Sequence, residues 1–152
     1  MVDGNLQGVM KEFGKDIDLP ELSFDDAGYC CLSFDEIVVN LEVDEPSGHL
    51  FFYSNVGNLP EEGRAEFYEI LLEANFLYRE TAGGILGIDK ELNGVVLAYK
   101  VPFSGLDLPQ FSRVMGNFIG MVELWTERIQ RAAHGQEQER SSVDPYPKGI
   151  RA

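Results

Sequence analysis

Basic side chains are scarce in this chain: 12 Lys and Arg stand against 26 Asp and Glu, which gives a formal net charge of -14 and a sequence pI near 4.4. Gripping phosphate takes clustered Lys and Arg, so the composition excludes a nucleic-acid binder. No stretch of about 18 apolar residues occurs, which excludes a membrane-spanning helix. The first 20 residues carry Asp3, Lys11, Glu12, Lys15, Asp16 and Asp18 in place of the apolar run of a signal peptide. There are two cysteines, Cys30 and Cys31, adjacent in a strand-like stretch where neighbours point to opposite faces. They therefore read as small apolar groups, not a redox pair, and a reducing cytosol is the expected compartment.

Histidine is scarcer still, with His49 at a strand start and His134 near the end of the chain. A Cys-His nucleophile would need Cys30 or Cys31 to meet His49 across a sheet, and no third group is available to orient the imidazole. Asp89, Glu91, Asn93 and Gly94 imitate the opening of a calcium loop, but Lys100 stands where the bidentate Glu is required. Gly83-Gly84-Ile85-Leu86-Gly87 follows a helix and lacks the Lys-Ser/Thr of a phosphate loop, so it reads as helix termination. Adjacent acids such as Asp25-Asp26, Asp35-Glu36 and Glu61-Glu62 belong to solvated turns. No catalytic constellation, cofactor site or metal site emerges, and the reading is of a protein that is not an enzyme.

What is present is a well-patterned globular domain: 44% apolar residues and 17 aromatics, in a length suited to one domain. Leu6, Val9, Met10, Phe13 and Ile17 repeat at three and four, which predicts an amphipathic helix closed by Leu19-Pro20. Residues 29–34, 37–43 and 49–56 predict three strands joined by short turns, hence an antiparallel meander. In the second, Ile37, Val39, Leu41 and Val43 share the core face, opposite Val38, Asn40 and Glu42.

Asn58-Leu59-Pro60-Glu61-Glu62 reads as the start of a second helix, with cap, early proline and carboxylates at the positive end of the dipole. Its stripe is Phe67, Ile70, Leu71, Ala74, Leu77 and Tyr78, with Tyr68, Leu72 and Phe76 apolar outside it. Asn93-Gly94 between Ile85–Leu92 and Val95–Val101 predicts a tight hairpin. Leu108-Pro109 opens a long third helix with Phe111, Val114, Met115, Phe118, Ile119, Val122, Trp125 and Ile129 at helical spacing.

The fold class is therefore α+β in the order helix, three-stranded antiparallel meander, helix, β-hairpin, helix (α-β-β-β-α-β-β-α). Residues 1–133 form the domain and hold 23 acidic and 9 basic side chains, so the net charge belongs to the folded body. Residues 134–152, rich in Gly, Gln, Glu, Ser, Pro and Lys, read as a disordered, net-neutral tail.

The element order and several local strings resemble the class I type III secretion chaperones, the Tir-chaperone (CesT-like) family, across residues 5–131. The strings are Gly14, Ile17 and Leu19 after the first helix, then Tyr29-Cys30-Cys31-Leu32-Ser33-Phe34-Asp35. They continue with Leu71-Leu72-Glu73-Ala74-Asn75-Phe76, Gly87-Ile88-Asp89 before Val95-Val96-Leu97, then Leu106 and Trp125. The resemblance implies a homodimer that binds the N-terminal region of a secreted effector in extended form, keeping it soluble and secretion-competent without ATP. It places the dimer interface on the second helix and the following strands, here Tyr68, Leu72, Phe76 and Val96, and leaves the secretion ATPase as a further candidate partner.

Effector contacts are expected on Leu6, Val9, Met10 and Phe13 of the first helix and on Phe34, Val38, Phe51 and Tyr53 of the sheet. An extended peptide can seat apolar anchors in grooves and pair its backbone with a sheet edge. For each residue the competing reading is intramolecular core, since an amphipathic helix must bury its stripe on something. A reading from another class is an acidic decoy that sequesters a basic protein; its binding would be salt-labile, whereas groove burial persists in high salt.

Overall fold

The computed structural model describes residues 2–134, and the expected tail lies almost wholly outside the described residues. The elements run α1 (Gly4–Asp16), β1 (Tyr29–Phe34), β2 (Ile37–Asp44), β3 (His49–Asn58), α2 (Arg64–Asn75), β4 (Ile85–Asp89), β5 (Gly94–Pro102) and α3 (Leu108–Ala133), with a short 3-10 turn at Phe76–Tyr78. The five strands form one antiparallel sheet in the order β1-β2-β3-β5-β4, so β1 and β4 are its edges. This is the α+β order expected from the sequence.

Alternation along the strands decides which side is core. Cys30, Leu32, Val39, Leu41, Val43, Leu50, Phe52, Val95 and Leu97 are buried on one face. α3 lies across that face, with Phe111 and Phe118 each 5.8 Å from the Phe52 ring, and α1 leans on α3 through Phe13 edge-on to Phe111 at 4.9 Å. Aromatic rings prefer such tilted and edge contacts, and their burial carries much of the core energy. β3 bulges between Asn55 and Gly57, and there the α3 side chain of Ile129 occupies the space a Gly57 Cβ would need.

α1 stops before Leu19-Pro20. Its cap is Ile17, Asp18 takes a left-handed φ of 61°, and the Leu19 N–H donates back to the Gly14 carbonyl at 2.6 Å. α3 begins where the sequence places it, on a capping box in which Asp107 accepts from the Gln110 N–H and Gln110 returns the bond to the Asp107 N–H.

Two local expectations are corrected. Asn58 does not open α2; it pairs with Gly94 at the end of β3, and α2 starts at Arg64 behind a left-handed Gly63. Ladder pairing outcompetes a local capping signal there, because Leu59 also donates to the Asn93 carbonyl. The β4–β5 connection is not a two-residue Asn-Gly turn either. Asp89 pairs with Gly94, so Lys90–Asn93 form a four-residue loop, held by the Asp89 carboxylate accepting from the N–H groups of Glu91 and Leu92.

The end of α2 also differs from its periodicity. Phe67, Leu71 and Ala74 are buried as expected, yet Leu77 and Tyr78 adopt left-handed backbone, φ 54° and 55°, and turn outward. The cause is non-local: Asn75 is bonded to β4 and ends the helix before the stripe is complete.

Candidate functional site

Residues on the sheet face opposite α1 and α3 come together by register. One row is Cys31, Asn40, Tyr53, Ala98 and Ile85; the next is Tyr29, Glu42, Phe51 and Lys100; Ser33 and Val38 begin a third. Val38 is 44% exposed, and Phe51 and Tyr53 are half-buried beside one another's rows. Three of the sheet residues singled out from the sequence thus share one apolar and aromatic surface.

Polar bonds fix that surface. The Tyr29 hydroxyl donates to Asn40 Oδ1, the Asn40 amide donates to the Tyr53 carbonyl at 3.3 Å, and the Tyr53 hydroxyl donates to Glu42 Oε2 at 3.3 Å. Loss of hydration, with the neighbouring Cys31, pushes the Tyr29 phenol up to about 12, and burial followed by the Glu42 charge raises that of Tyr53. Both hydroxyls therefore act as neutral donors across the physiological range.

The β1 edge adds backbone groups. The Tyr29 N–H donates to Asp25 Oδ1 and its carbonyl accepts from the Asp25 N–H, both at 2.9 Å and both on the side away from β2. Main-chain groups two residues apart point the same way, so those of Cys31 and Ser33 also face outward along β1. Cys31 and Ser33 thus present main-chain donors and acceptors next to the apolar face, while Asp25 closes the Tyr29 end.

The other expected contacts lie elsewhere. Leu6, Val9, Met10 and Phe13 are 0–7% exposed, packed into the intramolecular core. Phe34 has the parity of Cys30 and Leu32 and packs, half-buried, on the helix-covered face, so it does not join Val38, Phe51 and Tyr53. His49 stands four residues along β3 from Tyr53, roughly 13 Å at strand rise, bonded to Ser47, and so does not meet either cysteine. Burial and the adjacent Cys31 push the Cys30 thiol up to about 11, which leaves it unreactive.

A second apolar surface gathers around the end of α2 and β4. Leu72 is 68% exposed and Phe76 50% exposed, accompanied by Leu77, Tyr78, Ile85 and Ile88. Tyr68 is half-buried against the core, and Val96 is half-buried on the outer sheet face next to Gly87 of β4. Sequence periodicity pointed to Leu72 and Phe76 but turned Leu77 and Tyr78 inward, since nothing local marks where Asn75 halts the helix.

Residues 8–126 match the family model of the Tir chaperone protein (CesT) family. The chain belongs to that family. It is thus a member of a chaperone family and not of an enzyme class, with the α+β fold of the type III secretion chaperones. No curated protein matches the chain by sequence.

Among solved structures, the chain is similar to one in the ExsC-ExsE complex, with a TM-score of 0.73 and 24% identity over 83% of this chain and 96% of that one. A chain of the HopA1-SchA chaperone-effector complex gives 0.67 and 23% over 84% and 99%. A third likeness is to the complex of the Yersinia pestis type III secretion chaperone SycH with a stable fragment of YscM2, at 0.60 and 17% over 78% and 98%. At these identities the likeness establishes the fold. Among the described residues no helix is long and apolar enough to cross a membrane.

Proposed function

We propose that this chain is a type III secretion chaperone that holds the N-terminal region of one or more secreted effectors in extended form in the bacterial cytoplasm. The observation that carries the reading is the outer sheet face: Val38, Phe51 and Tyr53 lie exposed or half-buried beside the outward backbone of Cys31 and Ser33. Apolar anchors plus strand addition suit an unfolded segment and need neither a cofactor nor catalysis. Leu6, Val9, Met10 and Phe13 take part only if α1 lifts from α3.

Leu72 and Phe76, flanked by Tyr68 and Val96, support a homodimer closed through the end of α2 and β4. Two copies would carry twice the formal charge of -14, which keeps a surface with apolar grooves soluble and favours clients with basic flanks. The secretion ATPase remains a candidate partner on family grounds alone. The acidic-decoy reading is not favoured: the acids lie in turns and on helix faces around ordinary apolar stripes.

The test is a pull-down from the native bacterium at high salt, with the bound protein identified and its protected segment mapped by limited proteolysis. Recovery of a secretion substrate protected near its N-terminus, two chaperone chains per client, is the expected result. Recovery of salt-labile basic proteins alone would refute it in favour of the decoy.

A further inference from the structure

One end of the β1 edge carries a carboxylate that is held in place from two sides. Phe24 is 4% exposed, and its main chain is clamped by Gln7, whose amide donates to the Phe24 carbonyl and accepts from the Phe24 N–H, both at 3.1 Å. Asp25 follows beside Tyr29, with its N–H donating to the Tyr29 carbonyl at 2.9 Å. Its Oδ1 accepts from the N–H groups of Ala27 and Tyr29, both at 2.9 Å, while its Oδ2 has no partner among the described residues. Closing the turn takes only Oδ1, an acceptor that the amide of an asparagine supplies equally. The charge and the second oxygen of this exposed residue are left over.

Asp25 fills the place of a neighbouring strand only as far as Tyr29. Past that point the outward N–H and C=O groups of Cys31 and Ser33 have no partner among the described residues, so a strand added to β1 abuts Asp25 end-on. Cys31 lies two residues from Tyr29, roughly 7 Å at strand rise, a span that an extended Lys or Arg side chain covers. The surroundings are of one sign. Asp26 is exposed next in the chain, and Glu42 is the register partner of Tyr29. Lys100, the single Lys or Arg in the five strands, stands three strands away, roughly 14 Å at the usual strand spacing.

We propose that Asp25 selects the client at this edge: the extended segment that pairs with Cys31 and Ser33 carries a Lys or Arg at the end that meets the Asp25 carboxylate. The inference rests on the strand-addition reading above and names a chemical feature of the client that it leaves open. An exposed ion pair contributes only a small factor, but little ordering is lost here, because the turn already holds the carboxylate. The preference is thus fixed to one position of the client, in contrast to the diffuse attraction exerted by a net charge of -14.

Two synthetic peptides, capped at both ends, test this on the full chain: Lys-Val-Thr-Val-Thr-Val-Lys, and the same sequence with Gln for both Lys. A Lys at each end presents the cation whichever way the strand runs. Amide NMR titration reads binding at Cys31 and Ser33, with Leu86, whose main chain Asn75 already holds, as a control on the opposite edge. The Lys peptide is expected to bind about threefold more tightly at low salt. In the unmodified chain that advantage should vanish in about 1 M salt. Asp25→Asn keeps the Oδ1 acceptor and alters the net charge by a single unit, so most of the advantage should disappear while the fold and the general attraction stay. Equal affinities for the unmodified chain, with Cys31 and Ser33 shifting, would overturn the selection and leave strand addition standing. A preference retained in full by Asp25→Asn would overturn the assignment to Asp25. If neither peptide shifts Cys31 and Ser33, strand addition at β1 fails, and the selection fails with it.

Discussion

Asn75 holds Leu86 by both of its main-chain polar groups: the Leu86 N–H donates to Asn75 Oδ1 at 2.8 Å, and Asn75 Nδ2 donates to the Leu86 carbonyl at 3.0 Å. A side-chain amide thus stands in for a missing strand at the free edge of β4. The same pair of bonds ends α2 and turns Phe76, Leu77 and Tyr78 outward, so one residue couples the helix, the sheet edge and the exposed apolar surface.

Replacing Asn75 by Ala removes two partly buried hydrogen bonds and leaves the Leu86 groups unpaired. The expected loss is about 2 kcal/mol, with a melting temperature lower by roughly 4–8 °C for a domain of this size. Thermal unfolding followed by circular dichroism checks this; a change within 1 °C would show that water replaces the amide without cost.

Leu72→Asp and Phe76→Asp place a carboxylate on the surface proposed for dimerisation, at positions that are 68% and 50% exposed in the single chain. Each is expected to leave the monomer folded and to weaken self-association at least tenfold, because a charge buried at an interface without a partner costs more than one such factor. Sedimentation velocity over a range of concentrations provides the check, and an unchanged profile would move the interface elsewhere.

On the sheet, Val38→Asp and Phe51→Asp should lower affinity for the client about tenfold or more, with little change in stability, since neither side chain belongs to the buried core. Titration calorimetry with a client peptide at high salt separates this from charge effects. Affinity retained in both variants would show that the client lies off this face.

Gly14→Ala tests the close turn after α1. A Cβ there would collide with the Leu19 carbonyl oxygen and come within 2.7 Å of the Leu22 Cβ. Backbone on one side leaves little to yield, so a destabilisation of about 2–3 kcal/mol is expected from the denaturation midpoint. A neutral result would mean that the 17–22 segment shifts freely.

Stability should fall in alkali. Burial raises Cys30 from about 9 to about 11, so the unfolded chain releases this proton before the folded one does. The contribution is complete below about pH 9 and is lost as pH rises toward 11. Denaturation midpoints between pH 8 and 11 should decline, and less steeply in Cys30→Ala; parallel slopes would refute the assignment to Cys30. Thiol labelling at pH 8 should accordingly modify Cys31, which is exposed, and spare Cys30.

What the sequence determined by itself was what a short-range period encodes. The α1 stripe, the alternation of β2 and the α3 stripe that follows Leu108-Pro109 are repeats of three to four or of two, set by backbone geometry within a few residues. The strings around Cys30 and Asn75 likewise carried the family. Tertiary structure alone decided where competing local signals end. Asn58 caps well in isolation but pairs with Gly94; Leu77 and Tyr78 keep helical spacing but are cut off by the bond from Asn75 to Leu86. It alone also settled whether an apolar stripe faces core or solvent, because Leu6, Met10 and Phe13 have the pattern of a docking face yet are buried, with Phe13 packed on Phe111 of α3, about a hundred residues away. Burial is a property of pairs of surfaces, and a single segment specifies only one of the two.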